Sequence, residues 1–229
     1  MIHLSELSWA NLIVNCSAVL LLIGIVLHTR IFRKRSGQDD RLYFLMTVIT
    51  MVMAVSDILT YVMDSSTFAL APSISYFFNS VYYVIFELFP AFFVLYLIVR
   101  RNPGKPLSLK KGILISLPAI AAVGMIIANW FGRFLFTVDP IEGSYTSEAL
   151  YPLIYVMPVL YGVVALVLIF LLDKRVLWLY LVLILVKIFV GRFLWDVSST
   201  ALLFAMGLTF AHIHVMGKPI EHIRREERA

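Results

Sequence analysis

The chain has 229 residues, of which 61% are hydrophobic and only 14% charged, with a mean hydropathy of +0.92 and a formal charge of +5. That balance lies far from the quarter of charged residues usual in soluble domains and excludes a water-soluble enzyme or a nucleic-acid binder of ordinary composition. The basic excess therefore has to be explained within a membrane setting.

Apolar stretches of about 20 residues, each long enough to cross a hydrocarbon core, recur seven times. The spacing predicts spans at 9–29, 42–63, 76–99, 112–131, 151–172, 176–195 and 198–216, a seven-helix domain over 1–216, followed by a tail over 217–229. The first span is preceded by "MIHLSELSW", which lacks the basic region and cleavage site of a secretory signal, so it reads as a retained anchor. It carries the single cysteine, Cys16, which rules out an intramolecular disulfide. "RIFRKRSGQDDR" separates the first two spans, "DSSTFALAPS" the next two, and "RRNPGKPLSLKK" follows the third. Connections this short predict antiparallel neighbours and an up-down bundle, an all-α integral membrane fold. Between the fourth and fifth spans, "FLFTVDP" and "YTSEALY", joined by "IEGS", read as a short extracellular hairpin placed to lid a pocket.

Of the 19 basic residues, 16 fall in alternate loops or the tail, leaving Arg133, Lys187 and Arg192. Cytoplasmic loops retain Lys and Arg, so the N-terminus is expected outside and the C-terminus in the cytoplasm, with the plasma membrane as the location and the lipid bilayer as an obligatory partner. Pro90, Pro118 and Pro158 are expected to interrupt the third, fourth and fifth spans and to permit kinks.

Ionisable residues inside spans are expensive unless they face the bundle interior or a partner of opposite sign. Asp57, Glu87 and Lys187 are such residues, whereas Arg192 can reach the headgroups. Tyr76, Asn79, Tyr83 and Glu87 share one helical face, and Thr50, Asp57, Tyr61 and Asp64 share another. Lys187 has Glu87 and Asp57 as candidate partners at compatible depth. A ligand-binding or signal-responsive site is therefore expected around Asp57, Glu87 and Lys187, with Tyr83, Asn79 and Tyr61 beside it; a buried ion pair that only fixes packing is the plain alternative. Asn129, Trp130, Tyr151, Tyr155, Ser198, Ser199 and Thr200 lie at the same ends of their spans, although Trp9, Trp130, Tyr151 and Trp195 also suit an interfacial aromatic belt.

No metal or other cofactor is expected. His212 and His214 stand two residues apart on a helix and face about 200° apart, so they cannot share an ion, and the last span lacks the lysine a retinal protein would need. No catalytic motif is present. "AVSDILTYVMD", "FTVDPIEGSYTSEALYPLIYVMPVLY" and the exit "HIHVMGKPIEHIRREERA" together resemble the seven-helix membrane input modules that precede histidine-kinase or diguanylate-cyclase domains in bacterial sensors. The resemblance implies a sensor of a small-molecule or lipid signal that transmits through its last helix to a cytoplasmic output domain or kinase partner. It implies a homodimer if the tail continues as a coiled coil; no nucleic-acid partner is expected, because the basic excess reads as membrane topology. A small transporter or channel using Asp57, Glu87 and Lys187 is the competing expectation.

Overall fold

The computed structural model describes residues 6–32, 37–66, 69–102, 105–139, 145–172, 181–182, 185 and 199–211. Within them the chain forms α1 (Glu6–Phe32), α2 (Gln38–Asp64), α3 (Ala71–Arg101) and α4 (Leu109–Gly132), then β1 (Phe136–Val138) and β2 (Tyr145–Ser147), a 3-10 turn (Tyr151–Tyr155) and α5 (Val156–Leu172). A further apolar helix, Thr200–Ala211, closes the described part. Five helices are long and apolar enough to cross a membrane. The sixth expected span, with Lys187 and Arg192, lies outside the described residues apart from three helical positions, and so do His212, His214 and the 217–229 tail.

The helices outrun the expected spans by a few residues at most ends, since backbone hydrogen bonding continues past the apolar stretch. α3, at 31 residues, is ~46 Å long and exceeds a ~30 Å hydrocarbon core. α3 is also the hub. More than half of its apolar window (56%) is buried, against 22% for α4 and for the fifth span, and α2, α4, α5 and β1 all pack on it. The outer helices bury one seam each. On α1 the seam is Asn11, Asn15, Ala18, Leu22 and Ile25, spaced 4, 3, 4 and 3; on α4 it is Ala119, Ala122, Ile126 and Asn129. Their other faces expose Leu20, Leu109 and Phe131 at 70%, 80% and 90%, consistent with surfaces that face lipid.

Cross-helix contacts fix direction. Asp39 pairs with Arg100 at 3.3 Å and Asp64 accepts from Ser75 at 2.5 Å; both pairs of numbers add to 139, so α2 and α3 run antiparallel in constant register. Phe86 meets Tyr155 one step beyond the Tyr83–Tyr151 contact, and Tyr161 lies by Glu87, so the 3-10 turn and α5 follow the direction of α3. The Thr200–Ala211 helix does the same: Phe204 stacks on Phe89 at 4.0 Å, and further along Leu208 accepts from Tyr43, whose ring lies beside Tyr96. At the basic end, Gln38 clamps the backbone of Leu107, accepting from its N–H at 2.8 Å and donating to its carbonyl at 3.3 Å.

The expected hairpin is present: β1 and β2 pair antiparallel with Phe136 opposite Ser147, Thr137 opposite Thr146 and Val138 opposite Tyr145. Two prolines lie within helices as expected, Pro90 in α3 and Pro118 in α4. Pro158 does not interrupt α5. It occupies the first turn, where a missing N–H costs nothing because that turn has no intrahelical acceptor.

Candidate functional site

Two buried polar constructions adjoin α3 at the hairpin end. The first is the seat of the hairpin, organised by Asn129 in the last turn of α4. Its Oδ1 accepts the Leu135 N–H at 2.7 Å, its Nδ2 donates to the Phe136 carbonyl and the Tyr76 hydroxyl at 2.9 Å each, and its own carbonyl accepts from Tyr76 at 2.8 Å. A fully buried carboxamide thus has its donors and acceptor used. Phe136, also fully buried, lies between the rings of Tyr76, Tyr83 and Tyr145.

From α3, the Tyr83 hydroxyl meets the hydroxyls of Tyr145 and Tyr151 at 2.9 Å each, and Tyr151 meets Tyr155 at the same distance. Four phenols from α3, β2 and the 3-10 turn form one chain of hydrogen bonds. Burial, with Tyr151 close by, pushes the Tyr145 hydroxyl above the ordinary phenol range, so it stays protonated.

The second construction lies below. Glu87, one helical turn from Tyr83 on the same face, is 1% exposed, and its Oε2 has no hydrogen-bond partner among the described residues. Tyr161 of α5 is its electrostatic neighbour, with a hydroxyl already committed to the Ile115 carbonyl of α4 at 2.5 Å. An unmatched carboxyl oxygen in the interior of a helix bundle is costly, and its free lone pairs can receive a proton or a hydrogen-bond donor.

The other expected site residues are distributed around this pair. Asp57 stands level with position 82 of α3 by the α2–α3 register, about 7.5 Å nearer the hairpin end than Glu87. Its Oδ2 accepts from Asn15 of α1 at 2.7 Å, and Asn15 also donates to the Asn11 carbonyl at 3.1 Å, leaving Asn15 Oδ1 buried with no partner among the described residues. Asn79 turns back to its own helix, donating to the carbonyl and hydroxyl of Ser75, which in turn serves Asp64. Tyr61 is half-buried on α2. The structure therefore joins Tyr83 to the hairpin and stacks Glu87 beneath it, while Asp57 belongs to a contact between α1 and α2. Lys187 lies outside the described residues.

Sequence reasoning passed over Asn11 and Asn15. The signal available was two carboxamides at i and i+4 in an otherwise apolar span, a spacing that puts both on one face. No set of three metal-ligating side chains comes together among the described residues. No family model, curated protein or solved structure matches the chain.

Proposed function

We propose that the chain is a seven-helix sensory module of the cell membrane, N-terminus outside and C-terminus cytoplasmic. In this reading it responds to a ligand or proton at Glu87 under the tyrosine-fastened hairpin and passes the change through its last helix to a cytoplasmic output domain. Seven spans are supported by direction: α5 and Thr200–Ala211 both follow α3, which agrees with one further crossing between them, and the intervening sequence is long enough for one span. The orientation rests on the concentration of Lys and Arg at the end opposite the hairpin.

The observation that carries the sensor reading is that, among the described residues, the buried polar side chains with an unmatched atom stop at Glu87. Below Glu87, α3 has no charged residue before Arg100, and its core is the ring column Phe89, Phe93 and Tyr96 with Phe204 stacked against it. Hydroxyls at that level are spent on backbone carbonyls: Thr47 on Tyr43, Thr50 on Met46, and Tyr43 on Leu208. A transporter or channel needs a polar path from side to side, whereas a buried carboxyl that rests on packed rings suits a receptor. Phe204 stacks with Phe86 and Phe89, one residue before and two after Glu87, which gives a direct mechanical link from the site to the last helix. A ligand moves that link only by binding two arrangements of it unequally.

The test joins the chain to a histidine-kinase output and compares wild type with Glu87→Gln, Asp57→Asn and Lys187→Met over pH and a panel of small molecules. The reading requires that Glu87→Gln remove the response while expression is kept. A triple variant that signals like wild type, or proton or solute flux through liposomes carrying the wild type, overturns it.

A further inference from the structure

The hairpin end carries one further feature, outside the bundle interior. Between α3 and α4 an apolar groove of about 350 Å³ opens on the surface that the membrane covers, walled by Phe77, Val84, Ile127, Trp130 and Phe131. Its one inward polar group, the Ser80 hydroxyl, is occupied by the Trp130 indole N–H at 3.0 Å. Just past the upper end of the groove stands Arg133, whose charge is felt at Tyr76, the ring that meets Trp130 edge-on at 5.5 Å.

Arg133 is unusual in three respects. It is the one non-glycine residue among those described with a positive φ, 49°, at the left-handed position that ends α4, where glycine would be free of strain. Its side chain is exposed and makes no ion pair or hydrogen bond among the described residues. It is also a cation at the end of the molecule that the other basic loops avoid. The left-handed backbone thus carries a guanidinium just beyond the end of α4 that flanks the groove.

We propose that this groove binds one anionic membrane phospholipid, an acyl chain lying between Phe77, Val84, Ile127 and Phe131 and the phosphate held by Arg133. Guanidinium geometry matches a phosphate with two parallel N–H bonds, and flanking Trp130 suits the headgroup boundary. The bound lipid would brace α3 against α4 beside the hairpin seat.

The test is thermal unfolding of the full, lipid-stripped chain in a nonionic detergent, with added dioctanoylphosphatidylglycerol or dioctanoylphosphatidylcholine. The glycerol lipid should raise the wild-type melting temperature more than the choline lipid. Arg133→Gly should melt ~2–4 °C higher without lipid, because the strain is gone, yet bind the anionic lipid roughly tenfold more weakly. Arg133→Gln, which keeps a side chain at the strained position, should lose the same preference without the gain in melting temperature, and Arg133→Lys should keep part of it. Ile127→Trp, which fills the groove, should weaken both lipids. Equal shifts from the two lipids in the wild type, or an undiminished anionic-lipid shift in Arg133→Gly and Arg133→Gln, would refute the proposal.

Discussion

Asn129 and Glu87 are both buried polar side chains beside α3, and they could hardly be treated more differently. Asn129 has its carboxamide bonded to a backbone N–H, a backbone carbonyl and a phenol. Glu87 keeps an oxygen with nothing to bond among the described residues. In a bilayer interior the first arrangement stabilises and the second costs free energy. The first reads as an architectural site, and the second is the one on which the proposed sensor role rests.

The sharpest break of that comparison is Asn129→Ala. It strands the Leu135 N–H, the Phe136 carbonyl and one bond of Tyr76 at once, at about 1–3 kcal/mol for each buried group left unmatched, so a loss of roughly 3 kcal/mol or more is expected. Thermal unfolding in detergent should show it, together with earlier protease cleavage in the hairpin than in the helices. A loss below about 1 kcal/mol would mean that water replaces the carboxamide and that the seat is looser than its geometry.

Glu87→Gln should move the other way. An isosteric amide removes the buried acid, and a gain on the order of 1 kcal/mol is expected, with the signalling response gone. A loss of about 3–5 kcal/mol instead would reveal a buried ion pair, Lys187 being the candidate, and would turn Glu87 into an architectural residue like Asn129. Tyr83→Phe sits between the two: it deletes the hydroxyl shared by Tyr145 and Tyr151 but leaves both able to find water, so about 1 kcal/mol should be lost. Retained stability there would place the cohesion of the hairpin in Phe136 and its ring contacts rather than in the phenols.

How far the sequence reveals this arrangement depends on the range of the interaction. Five of the seven expected spans appear as long apolar helices, because hydropathy is a local property summed over twenty residues. The β1–β2 hairpin was legible from the turn residues that join its two segments, as was the face shared by Tyr83 and Glu87 from their spacing. Four things were not. The partners of Asn129 are largely backbone groups of a hairpin whose path no composition reveals. Asn15 meets Asp57 across 42 positions, a contact between two helix faces that hydropathy scores as ordinary apolar stretches. Pro158 reads as a helix breaker until the 3-10 turn before it makes its position a first turn. The remaining unread element is Arg133, since no periodicity announces a left-handed residue at the end of a helix.

The smallest expected effect concerns the alkaline limit of the hairpin seat. Tyr145 titrates above the ordinary phenol value of about 10 when folded, chiefly through burial, so between that value and its folded value the native state holds a proton that the unfolded chain has lost. Stability from this group is therefore complete below about pH 10 and declines as the pH rises beyond it. Tyr145→Phe should be slightly less stable than wild type near neutrality, having lost one hydrogen bond to Tyr83, and should show a flatter decline from about pH 9 to 11. Melting temperatures read alongside the tyrosinate absorbance band decide it. Parallel declines for the two proteins would assign the alkaline limit to other groups and leave Tyr145 a packing residue against Phe136.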